Sequence, residues 1–149
     1  MAKTYNWRRF WLPADSTFYL DDGAYLFDPT DKFLASLNPG IADLFELRGK
    51  PCKILFGESG MGKSSALRAD FARIKESWAG TDDRGALIDV GAVTSISDLR
   101  SSIENDAEVL TWRSAGRGVM NLYLDSLDEA IPAYPAISKG LMAVMNALA

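Results

Sequence analysis

The chain has 149 residues, 48% of them apolar and 24% charged, and a formal net charge of −4. That supplies one globular core and excludes global disorder, while the negative balance argues against broad binding to nucleic acid or acidic membranes, both of which need a positive field. With no histidine and only one cysteine, Cys52, a histidine-based triad, an internal disulfide and a zinc site are excluded.

Residues 1–50 form an aromatic-rich lead-in segment punctuated by Pro13, Pro29 and Pro39. Two β-favouring runs, 17–20 and 24–27, flank Asp21-Asp22-Gly23, and Asp-Gly between such runs predicts a hairpin. Short helices are expected over 31–37 and 41–47, the second ended by Gly49. From residue 51 to 149 the pattern alternates strand and helix. Residues 52–56 read as a short buried strand, with Cys52 as a small core thiol. A helix is predicted over 63–78, because Leu67, Phe71, Ile74 and Trp78 share one stripe, and Gly80 stops it. A second strand covers 86–90. A helix starting near Ser97 or Ser101 then carries Leu99, Ile103, Ala107 and Leu110 on one face, with Gly116 beyond its end. Ser101-Ser-Ile-Glu104 has the form of a capping box, which leaves that start open by a turn. A third strand spans 119–124 and a last helix Ile137–Leu148, with Met120, Met142 and Met145 as core fillers. Strand and helix in this order predict an α/β fold with a parallel sheet and helices on both faces.

No run reaches the ~18 apolar residues of a membrane span, and no apolar stretch follows the basic start MAKTYNWRRF. The chain therefore reads as cytoplasmic, with no membrane partner.

The densest chemistry lies in Gly57-Glu58-Ser59-Gly60-Met61-Gly62-Lys63-Ser64, which fits G-x-x-x-x-G-K-[ST] at every fixed position. Glycines let the backbone curl so that successive N–H groups point inward at an anion, a nest that side chains would obstruct. The helix beginning at Lys63 aims its positive end at the same point. Lys63 is then expected on the β- and γ-phosphates, the Ser64 hydroxyl on Mg²⁺, and Ser65 on the α-phosphate. A nucleoside triphosphate is the implied ligand, with no residue pattern that separates ATP from GTP.

The partner of such a loop is an acid at the tip of a neighbouring strand. Asn121-Leu-Tyr-Leu-Asp125 provides one, so Asp125 is the expected Mg²⁺ residue opposite Ser64. Asp128 and Glu129 follow, and either is a candidate for polarising an attacking water. Three carboxylates at one point repel each other unless a cation offsets them. The simpler alternative is a solvated turn whose acids favour a helix N-terminus.

The run Leu122-Tyr-Leu-Asp125-Ser126-Leu127-Asp128-Glu129-Ala130 resembles the acidic motif of NACHT-type NTPases of the STAND class: an apolar run, Asp, a small residue, an apolar residue, then two acids. The loop and this motif together span 52–130, and the stretch from Trp7 through the Asp-Asp-Gly turn looks like the region before that module in large bacterial proteins. The resemblance implies a P-loop NTPase-like three-layer α/β core over 51–149. It also implies an ATP- and Mg²⁺-dependent switch, with self-association or a downstream effector domain, often in signalling or antiviral defence. By position, Gly57 to Ser64 would bind phosphate, Asp125 the metal, and Asp128 or Glu129 would support hydrolysis. The family's later sheet strand, sensing residue and winged-helix module have no counterpart in this sequence. The chain thus reads as an N-terminal part of a larger protein or a short relative with an incomplete sheet, in which hydrolysis is impaired.

Two other readings compete. A small phosphotransferase uses the same loop, but an arginine-rich lid is not evident among Arg84, Arg100, Arg113 and Arg117. A non-enzymatic interaction fragment would use the nucleotide structurally and the Trp-rich lead-in for a partner. Trp7, Trp11, Trp78 and Trp112 read as core or interface anchors rather than base-stacking residues. Arg8-Arg9 reads as a solvated turn, and Arg113 and Arg117 as surface charge.

Overall fold

The computed structural model describes residues 9–20, 22, 23, 26, 28 and 31–148. They fall into two compact units, Met1–Ala66 and Leu67–Ala149.

In the first unit, Leu20 and Leu26 form an antiparallel bridge across the turn at Asp22-Gly23, as the Asp-Gly signal predicts. Asp21, Ala24, Tyr25 and Phe27 of that hairpin lie outside the described residues, as do Trp7 and Arg8. A second bridge joins Trp11 to Ala42 through two reciprocal backbone hydrogen bonds of 2.8 Å. The helix expected over 31–37 shrinks to a 3₁₀ turn, Ala35–Leu37. Asp31 Oδ1 accepts from the N–H groups of Phe33 and Leu34, a local turn that competes with the helix, and Pro39 disfavours helical backbone at Asn38. Buried Asn38 instead clamps Tyr19, donating to its carbonyl at 2.9 Å and accepting from its N–H at 2.7 Å. The next helix also shifts. It is a 3₁₀ segment, Leu44–Gly49, started by a capping box in which Asp43 and Glu46 satisfy each other's backbone N–H groups.

The strand expected over 52–56 does not form. Among the described residues the one sheet has two strands, neither of them this segment, and Cys52, Ile54 and Phe56 are exposed rather than buried. An apolar run becomes a strand only when neighbouring strands take up its N–H and C=O groups, and none does so here.

The second unit is a parallel sheet with helices on both faces. Strand β1 (Arg84–Asp89) pairs with β2 (Met120–Asp125) in a register that sets Ala86 beside Leu122, Leu87 beside Tyr123 and Asp89 beside Asp125. Helix α1 (Lys63–Ser77) covers one face from Leu67 onward. Phe71 packs edge-on against Tyr123 and Trp78, and the Trp78 ring lies over Gly85. The other face carries the main core, Ala86, Ile88 and Val90 of the β1 run with Leu122 and Leu124 of β2. Against them pack Leu99 and Ile103 of α2 (Ile96–Glu104), Val109 of α3 (Ala107–Ala115), and Ile137 and Val144 of α5 (Ile137–Leu148).

One predicted helix is therefore two. Ser95, not Ser101, caps α2 by accepting from Asp98 N–H, and Asp106 caps α3 after a break at Asn105. The break resets the helical phase, so Val109 is buried while Leu110 and Ala107 are exposed. Gly116 ends α3 in the left-handed conformation, as expected. Helix α4 (Leu127–Ala133) follows β2 directly, with Asp128 and Glu129 in its first turn, the helix start that the simpler alternative allowed. Met120 packs on the core, but Met142 and Met145 are exposed and do not fill it. Among the described residues no helix is long and apolar enough to cross a membrane.

Candidate functional site: a glycine loop and an acidic strand end

The loop from Gly57 leads straight into the first turn of α1. Gly60 and Gly62 both have φ of +81°, a backbone that an L side chain rarely tolerates. Alternating such residues with ordinary ones turns neighbouring N–H groups to one side, which is the geometry of an anion nest. Met61 N–H closes the loop by donating to Glu58 O at 3.4 Å. Lys63 folds back over it, its ammonium donating to the carbonyls of Gly57 at 2.7 Å and Glu58 at 3.1 Å. Glu58, Ser59, Gly60, Met61 and Ser65 are exposed. Ser64 sits in the first turn of α1, at the positive end of the helix dipole. The donor set and the glycine backbone fit a phosphate group.

At the acidic strand end Asp125 has an arginine partner. The Asp125 side chain is 5% exposed, and its Oδ2 accepts from Arg68 Nη2 at 3.0 Å. Its Oδ1 accepts from Ser126 N–H at 3.0 Å. Arg68 is on α1, one turn beyond Ser64, so a cation at Asp125 would have to displace a guanidinium already seated there. Among the described residues no group of three or more acids or cysteines could hold a metal ion. Asp125 is thus paired with Arg68, while Asp128 and Glu129 lie beyond it on the next helix.

Local backbone explains why. Ser126 turns left-handed (φ 61°) straight after the strand, the only such non-glycine among the described residues, and sends the chain into α4. Asp128 and Glu129 fall in the exposed first turn of α4, where acids suit the helix N-terminus. Glu129 nevertheless leans toward Gly91: a Cβ built there would lie 3.5 Å from Glu129 Oε2, 3.3 Å from Asp89 Oδ1 and 2.8 Å from the Ser126 Cβ. Asp89 thus joins the strand end, in register with Asp125 and with its Oδ1 accepting from Gly91 N–H.

Behind the strand tip, Tyr123 donates its hydroxyl to Asp70 Oδ2 at 3.3 Å across the α1 face. Burial, reinforced by the Asp70 charge and this hydrogen bond, pushes the Tyr123 phenol well above its ordinary range. On the outer surface, the Thr94 and Ser95 hydroxyls hold the Asp98 carboxyl below its usual value.

Arg68 and Asp89 stand at the acidic strand end and were not singled out by sequence reasoning. Asp89 had a readable signal, a carboxylate closing an apolar run as Asp125 does. Arg68 had one too, its one-turn spacing from Ser64 on a predicted helix. Among the described residues these features define a mixed α/β protein with a two-stranded parallel sheet, five α-helices and a glycine loop at a helix N-terminus. No family model, curated protein or solved structure matches the chain.

Proposed function

We propose that the chain binds a nucleoside triphosphate, with the 57–64 loop as the phosphate site, and that it serves as the nucleotide-responsive part of a NACHT-type switch. The observation that carries this reading is the loop itself: left-handed glycines at 60 and 62, then Lys63 at the N-terminus of a 15-residue helix. Backbone N–H groups would receive the phosphate oxygens, and Lys63 would exchange two carbonyl partners for the β- and γ-phosphates. The Ser64 hydroxyl is the group that would hold a Mg²⁺ arriving with the triphosphate.

Hydrolysis is not part of the proposal for this arrangement. Asp125 is engaged by Arg68, and Asp128 and Glu129 are exposed at a helix start, which supports a binding state rather than an assembled catalytic centre. Nucleotide-driven self-association and a link to an effector rest on the family resemblance, as does ATP over GTP.

Calorimetric titration with Mg-ATP tests the reading, with Lys63→Ala run in parallel. Wild-type binding is expected, weakened roughly 10- to 100-fold in the variant, the size of a lost charge-assisted hydrogen bond. A folded wild-type chain that binds neither ATP nor GTP would sink the proposal.

A further inference from the structure

Arg9 reads as a solvated turn residue in the sequence, yet its guanidinium lies against the glycine loop. A Cβ built on Gly62 would lie 2.7 Å from Arg9 Nη2, 2.8 Å from Nε and 3.0 Å from Cζ. The guanidinium therefore fills the space that any side chain at 62 would need. Its backbone is held nearby, because Trp11 pairs reciprocally with Ala42 two residues further on. Arg9 is exposed.

The loop carries one acid, Glu58, beside the cationic Lys63. Lys63 arches over the Gly57 and Glu58 carbonyls, and the α1 N-terminus adds its own partial positive charge. An anion seated in the loop would attract a guanidinium brought up to it as well as Lys63. A guanidinium also presents a flat fork of N–H donors that matches two oxygens of one phosphate, which an ammonium cannot do.

We infer that Arg9 is a phosphate-contacting residue of this loop, reaching in from the lead-in segment at Gly62 to grip the phosphate chain together with Lys63. The inference rests on the reading of 57–64 as a nucleotide-phosphate loop, and it makes the segment around Arg9 a working part of that site. Occupancy of the loop by a polyphosphate would then be felt directly by the chain on either side of the Trp11–Ala42 bridge.

The test is calorimetric titration of wild type, Arg9→Ala, Arg9→Lys and Lys63→Ala with Mg-ATP and, separately, with inorganic tripolyphosphate. Circular dichroism checks that each variant is folded. Arg9→Ala is expected to weaken both ligands about tenfold or more, as loss of a charged hydrogen bond does. Arg9→Lys should recover only part of that, because it keeps the charge and loses the fork. Wild-type affinity in Arg9→Ala, with binding still impaired in Lys63→Ala, would overturn the role of Arg9 and leave the loop reading intact. Weakening confined to ATP, with tripolyphosphate unaffected, would place Arg9 on the nucleoside and overturn the phosphate contact. Failure of folded wild type to bind either ligand would overturn the loop reading and this inference together.

Discussion

Replacing Arg68 with methionine, which keeps most of the aliphatic stem, isolates the ion pair that occupies Asp125. The two partners differ sharply in exposure, 59% for the arginine side chain and 5% for the aspartate. Removing one member of a fully buried pair costs about 3–5 kcal/mol, because the other charge is left uncompensated. A fully exposed pair contributes about 0–1 kcal/mol. A buried carboxylate facing a solvated guanidinium falls between, so Arg68→Met is expected to cost about 1.5–2 kcal/mol. Asp125→Asn keeps the shape of the side chain and an acceptor for Ser126 N–H, and serves as the second arm of a double-mutant cycle. Urea unfolding of wild type, both single variants and the double variant near neutral pH gives the coupling, expected at about 1 kcal/mol. Additivity to within about 0.3 kcal/mol would refute the pairing. Asp125 would then be as open to a cation as the sequence suggested.

Two further outcomes follow from packing and charge. Gly85→Ala drives a methyl group into the Trp78 ring and to 3.2 Å from Phe71, so a loss of about 1–3 kcal/mol is expected, with a changed near-ultraviolet circular dichroism signal from the displaced indole. Tyr123 has a folded-state pKa raised above its unfolded value, so its neutral form is favoured by the fold. That contribution is fully present below about pH 10 and is lost as pH rises past it. Wild type should therefore lose stability more steeply than Tyr123→Phe on alkaline titration, and parallel curves would count against the buried Tyr123–Asp70 contact.

What could be read from the sequence was local. Helix α1 follows from the stripe of Leu67, Phe71, Ile74 and Trp78, and α5 from its own apolar period. Gly116 stops α3 because only a residue at ease with positive φ fits there. The two apolar runs around Leu87 and Leu122 became the parallel pair, since crossover helices between them leave no other simple connection. The glycines of the 57–64 loop announced their own backbone. Each of these rests on interactions within a few residues, which residue type and spacing encode directly.

The tertiary structure decided the rest, because it depends on partners the local sequence does not name. An apolar run at 52–56 looks like a strand whether or not a neighbour takes its hydrogen bonds, and here none does. Asp106 could have sat inside one long helix; its capping bonds to Glu108 and Val109 instead split that helix and changed which residues face the core. Arg68 and Asp125 are 57 positions apart, and Arg9 and Gly62 nearly as distant along the chain. Long-range electrostatics of this kind is set by where the fold delivers each charge, so the carboxylate that ends β2 meets an arginine that the motif around it does not name.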